Sequence, residues 1–218
     1  MKTTLSGKEY VVEYQDTREK SLAMLRKLEA LDRPVFAVDI ETMPREGYES
    51  YEKAALYPST GRPRLFQVFA GTKVQVLDLY DFDDTDYLQI NKFLNTKFTV
   101  GHNYIFDLSF FTNQPGIEFP QTACTMIMYK MIMNAIEADT PVFHGGAALN
   151  VIYQRLFKEQ LSKEHQNSRW GFKLLSRGQI EYAADDVIAT YKLYQKLLPL
   201  VSKLGMEKIF KLLCDVQI

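Results

Sequence analysis

The stretch Val35-Phe-Ala-Val-Asp-Ile-Glu-Thr42 constrains the chain more than any other. Val35, Phe36, Ala37, Val38 and Ile40 form a near-continuous apolar run, the pattern of a central strand covered on both faces. Alternate side chains of a strand share a face, so Asp39 and Glu41 point the same way, about 7 Å apart along the backbone. Two anions at a buried strand end are costly unless something positive meets them. Taken alone, such a pair more often marks a solvated strand end or a helix cap than a site, and the rest of the chain has to decide.

With 218 residues, 46% of them hydrophobic and 24% charged, one compact globular domain is expected. The net charge of -1 argues against a protein that coats long nucleic acid by charge alone. It leaves room for a small, metal-bridged contact with a strand end. Cys124 and Cys214 are the only cysteines, without a Cys-x-x-Cys pair or histidines at zinc-ligand spacing, which fits a reducing, cytoplasmic setting. Met1-Lys-Thr-Thr-Leu-Ser-Gly7 lacks the apolar run of a signal peptide. Ala123–Ala135 is interrupted by Lys130 and too short to span a bilayer, so no membrane association is expected.

Around the central strand, helices and strands alternate. Tyr10–Tyr14 reads as a strand, and Asp16 is placed to cap a helix whose Leu22, Leu25, Leu28 and Leu31 share one face and which Pro34 closes. The connection over residues 46–63 carries Tyr48, Tyr51, Tyr57 and Lys53, with Arg62 and Arg64 at and beyond its end. It reads either as a packed surface loop or as tyrosines and cations that stack on bases and meet phosphates. Leu65–Ala70 and Val74–Leu79, split by Gly71-Thr-Lys73, form a hairpin pattern, and Asp84–Asn95 is helical. Such an order implies a layered α/β domain.

Further along, Phe98–Gly101 is a brief strand handing over to a helical pattern from His102 to Phe111, which sets Asn103 and Asp107 four residues apart on one face. A methionine-rich helix, Ala123–Ile136, reads as core filling. A loop follows over residues 139–146, where Gly145-Gly146 lacks the Lys-Ser/Thr of a phosphate cradle. A helix over Ala147–Phe157 precedes a polar stretch, Ser162–Gly171. The last large helix starts near Ser176 with Gln179 as its capping-box partner. It places Tyr182 and Asp186 on one face, turns Asp185 about 100° away toward solvent, and ends at Pro199. Leu200–Val216 forms a final amphipathic helix. The division expected is residues 1–199 (an N-terminal strand and helix over 1–33, a core over 34–199) and a C-terminal helix over 200–218.

Asp39-x-Glu41, Asn103-x-x-x-Asp107 and Tyr182-x-x-x-Asp186, in this order, resemble the three exonuclease motifs of the DEDD nucleases. The tyrosine points to the tyrosine branch, since Glu181 stands where the histidine branch has its histidine. Within that branch the chain resembles the proofreading domain of family A DNA polymerases and, more distantly, ribonuclease D. Ala55–Gln67 and Ser168-Arg-Trp170 also look like family segments. Cys124-Thr125 stands where members often have Asp-Thr, and Arg169 where they have an aspartate.

The resemblance implies a ribonuclease H-like mixed β-sheet flanked by α-helices, and a 3′–5′ exonuclease that releases nucleoside 5′-monophosphates from single-stranded or frayed DNA ends, with proofreading as its setting. RNA 3′ trimming of the ribonuclease D type is the alternative. A module that binds nucleic-acid ends, or docks on a DNA polymerase domain or subunit, without cleavage is the alternative of another class. Asp39, Glu41, Asp107, Tyr182 and Asp186 are the implied catalytic residues. Converging carboxylates repel unless cations neutralise them, and hard oxygen ligands favour two divalent cations, Mg2+ or Mn2+, over zinc. In the scheme the family implies, Asp39 bridges both ions, Glu41 and Asp186 complete the first, and Asp107 supports the second. Tyr182 orients the attacking water, since a phenol of pKa about 10 is a poor base near neutrality. Thr42, Asn103 and Phe106 are the implied holders of the terminal nucleotide.

Overall fold

The structure, a computed structural model, describes residues 1–112, 122–136 and 146–216. The loop expected over 139–146, including Gly145, falls outside the described residues except for Gly146. Strands β1 (Lys2–Leu5), β2 (Lys8–Gln15), β3 (Phe36–Pro44), β4 (Gly61–Phe69), β5 (Lys73–Asp78), β6 (Thr99–Gly101) and β7 (Thr122–Cys124) form one sheet in the order β1-β2-β5-β4-β3-β6-β7. The β1/β2, β5/β4 and β4/β3 pairs are antiparallel; β2/β5, β3/β6 and β6/β7 are parallel. This is the mixed sheet of the expected α/β class. The helices are α1 (Arg18–Ala30), α2 (Asp84–Thr96), α3 (Ile105–Ser109), α4 (Thr125–Ile136), α5 (Leu149–Phe157), α6 (Arg177–Lys203) and α7 (Glu207–Val216). Among the described residues, no helix is long and apolar enough to cross a membrane.

The two faces of β3 divide as its sequence alternates. On one side Phe36 meets Phe93 of α2 edge to face at 5.3 Å, and Phe66 of β4 meets the same ring at 6.0 Å. Fully burying such side chains stabilises the fold by about 1.5–3 kcal/mol each. The other side carries Ala37, Asp39 and Glu41 and lies against α6, whose Ala183 and Ala184 are fully buried. Small residues on both partners let this helix approach the strand closely enough to bring Asp186 to its acids.

Several boundaries differ from the sequence reading. Thr17, not Asp16, caps α1, accepting from the Lys20 N–H at 3.3 Å, while Asp16 pairs with Lys20. Pro199 does not end α6: the helix runs on to Lys203 because buried Leu197 and Val201, four residues apart, keep its inner stripe packed, which offsets the one hydrogen bond that a proline removes. A separate turn at Gly205 then starts α7. The helix expected from His102 shrinks to α3, because Asn103 has φ +55 and lies outside it. Asn103 and Asp107 therefore do not share a helix face. Left-handed backbone is a state asparagine tolerates, and the turn is tight: a Cβ on Gly101 would lie 2.2 Å from the Tyr104 ring.

Candidate active site

Three elements converge at the middle of β3. Asp39 and Glu41 come from the strand, Asp107 from α3, and Tyr182 and Asp186 from one face of α6, whose start is fixed by the expected capping box between Ser176 and Gln179. Carboxylate oxygens of Asp39, Glu41 and Asp186 lie within 4.8 Å of one another. Asp107 is buried, and its Oδ1 accepts the Ile40 N–H at 3.0 Å, which ties α3 to the strand between the two acids. All four open on one cavity of about 490 Å3, whose walls also include Thr42, Phe106 and Tyr182. Asn103 lines instead an adjoining cavity of about 730 Å3, together with Asp39 and Asp186.

Among the described residues, no lysine, arginine or histidine forms an ion pair with any of these acids. Burial, then repulsion from Asp107, Asp186 and Glu41, holds Asp39 well above the usual carboxylate range. Glu41 is raised in the same way, by burial and then by Asp186 and Asp107. Burial pushes Asp107 up to about 8, against the lowering effect of backbone N–H donors, and Asp186 up to about 7, against its hydrogen bond with Tyr182. Tyr182 is itself raised, by burial first and then by Asp186. Near neutrality such a cluster must hold protons or cations. Three converging carboxylates, all hard oxygen donors and none in an ion pair among the described residues, fit a divalent metal.

A family model described as 3′–5′ exonuclease matches residues 12–202. The chain belongs to this 3′–5′ exonuclease family. Among curated relatives, DNA polymerase I of Aquifex aeolicus is 33% identical over 147 residues, which is 67% of this chain and 23% of that protein. Among solved structures, RNase D of Escherichia coli superposes with a TM-score of 0.72 at 20% identity, covering 94% of this chain and 49% of that one. Brucella melitensis NrnC with bound Mg2+ gives 0.66 at 21% identity, over 94% and 88% of the two chains. The chain thus spans under a quarter of the polymerase and about half of the RNase D chain.

Around its acids the chain has residues that sequence reasoning did not place. Arg64, just beyond a connection that reads either as a packed surface loop or as a contact to bases and phosphates, is fully buried and paired with Asp78. Glu41 faces Leu65 and Thr42 faces Pro63, so Arg64 is the extra residue of a β-bulge, a device that re-aims a side chain. Its guanidinium donates to the carbonyls of Trp170 (3.0 Å), Phe172 (3.2 Å) and Lys173 (3.3 Å). It thereby fixes the segment that carries Trp170 against Tyr182, their ring centroids 6.4 Å apart.

His102 lines both cavities. Its Nε2 lies 2.9 Å from the Ala147 carbonyl and its Nδ1 2.8 Å from Thr125 Oγ1. Burial lowers it to about 4, so near neutrality the ring is uncharged: Nε2 donates to the carbonyl and Nδ1 accepts from the threonine. Asp185 faces neither the acids nor open solvent. It accepts from the Thr3 hydroxyl at 2.7 Å, and burial raises it to about 6.

Proposed function

We propose that this exonuclease hydrolyses DNA 3′ ends to nucleoside 5′-monophosphates and that it removes frayed or mismatched termini beside a DNA polymerase domain or subunit. The observation that carries the reading is the group of Asp39, Glu41 and Asp186, with Asp107 in the same cavity and no ion pair to any of them among the described residues. The identity to a DNA polymerase favours DNA over RNA. Asp39, Glu41 and Asp186 hold one divalent cation, Mg2+ or Mn2+, and Asp39 with Asp107 holds a second. Such ions supply a water acidic enough to attack near neutrality and positive charge for the leaving 3′ oxygen.

The remaining groups position. With its pKa raised by burial and by Asp186, Tyr182 stays protonated, its O–H donating to Asp186, and its oxygen accepts from the attacking water and orients it; it does not take the proton. The half-buried Phe106 ring at the cavity wall offers a stacking face for the terminal base, and the backbone of Thr42 reaches the terminal sugar. Asn103, in the neighbouring cavity, holds the next residue of the strand.

Matched DNA and RNA single strands, and DNA duplexes with paired or mismatched 3′ termini, test the reading under one Mg2+ concentration. DNA is degraded faster than RNA, and a mismatched terminus faster than a paired one. Faster digestion of RNA would turn the reading to RNA trimming. End binding without any cleavage would turn it to a binding module.

A further inference from the structure

The cavity at the acids does not end there. It shares Asp39, His102, Gln166 and Asp186 with the cavity of about 730 Å3 beside it. That one in turn shares Met126 and Lys130 with a third, of about 420 Å3, bounded by Ile127 and Met131 of α4 and by Met206 and Leu213 at α7. One depression therefore runs from the acids along α4 to the α4–α7 seam. From Met126 to Ala135 it follows about 13 Å of helix.

Its charge is unevenly placed. Among the described residues lining the three cavities, Lys53 and Lys130 are the only lysines, and no arginine lines them. Lys53 is 3.8 Å from Glu52. Lys130 is exposed, is in none of the ion pairs of the described residues, and stands where the second and third cavities join. Beyond it the wall is apolar and rich in methionine, a flexible, polarisable side chain suited to irregular flat partners such as bases.

We propose that this depression carries the nucleotides on the 5′ side of the strand end, with Lys130 meeting a backbone phosphate and the Met126–Met131 wall meeting bases. The inference rests on the exonuclease reading of the acids and adds the substrate class: single strands of several nucleotides rather than dinucleotides. A strand repelled by four carboxylates gains from a cation just outside them, and about 13 Å of groove holds roughly two to four further nucleotides.

The test measures Mg2+-dependent hydrolysis of single strands of about two to ten nucleotides by wild type, Lys130→Gln, Lys130→Arg and Lys196→Gln. For wild type, kcat/KM climbs over the first several nucleotides and then levels. In Lys130→Gln that climb shrinks several-fold, and the slope of log kcat/KM against log salt becomes shallower by about 0.7, the share of one phosphate contact on a single strand. Lys130→Arg restores the climb, and Lys196→Gln, exposed on α6 away from the groove, keeps the wild-type profile. A flat wild-type profile overturns the proposal, as does an unchanged slope in Lys130→Gln. If that slope is unchanged while Leu213→Glu alters self-association, the seam belongs to a protein contact. Should no strand be cleaved, the reading of the acids fails separately. The groove is then judged by fluorescence anisotropy of the same strands, where equal Kd and salt slope in wild type and Lys130→Gln overturn it.

Discussion

Replacing Asp39 with asparagine removes one of four mutually repelling carboxylates, and the metal-free protein should become more stable as it loses activity. Asp186 lies at about 7 and Asp107 at about 8, against 3.8 for a free aspartate. Between about pH 4 and 8 the folded protein therefore binds more protons than the unfolded chain. Stability then falls as pH rises through that window, and it falls because these groups must ionise where burial and neighbours oppose it. For Asp39 burial is the larger cause and repulsion from Asp107, Asp186 and Glu41 the smaller, and asparagine has no charge on which either could act. Removing a buried charge that lacks a partner is worth on the order of 1–3 kcal/mol. For a chain of this size that is a rise in Tm of roughly 3–10 °C. Differential scanning fluorimetry in EDTA reads it: Asp39→Asn melts above wild type at pH 8 and with it near pH 4. Added Mg2+ raises wild type more than the variant. A variant that melts below wild type at pH 8 in EDTA, or differs equally at both pH values, refutes the reasoning.

Adjacent aspartates on α6 should separate cleanly: Asp186→Asn abolishes cleavage, while Asp185→Asn, whose side chain accepts from the Thr3 hydroxyl and reaches the acids only by a repulsion that is a minor cause of the rise at Asp186, stays within about threefold of wild type in kcat. Tyr182→Phe lowers kcat by about 10- to 100-fold with Mg2+ affinity unchanged by calorimetry, since only an orienting hydrogen bond is lost. Arg64→Ala destabilises by about 3–5 kcal/mol in urea unfolding, because Asp78 is left buried without its partner. In surviving protein it also raises KM, as the Trp170 segment loses its anchor.

The geometry of the acid cluster was legible where one local pattern fixes it. The apolar run of Val35–Thr42 gave both the central strand and the face its acids share, and the Ser176/Gln179 box gave the start of α6 and so the placing of Tyr182 and Asp186. Features set by a partner element were not legible. The bulge beside Glu41 comes from Arg64 in the neighbouring strand, so nothing within β3 announces it, and an arginine beside a tyrosine-rich connection suits a packed loop and a phosphate contact alike. Asp185 was assigned to solvent by helical rotation, but β1 covers that side of α6. The strand β1 did carry a signal that went unused: Ser6-Gly7, both at positive φ (51° and 68°), is the kind of pair that closes a two-residue hairpin. Asn103 fits a helix by spacing alone, and only the crowding at Gly101 and Tyr104 places it in a turn.

The most direct measurement of the central claim follows a single-stranded DNA labelled at either end. With Mg2+, the 5′-labelled strand should shorten one nucleotide at a time, and the 3′ label should appear at once as a nucleoside 5′-monophosphate. With EDTA, or in Asp39→Asn, neither should change. Internal cuts, release from the 5′ end, or shortening that persists without a divalent cation would contradict a metal-bearing exonuclease site at the middle of β3.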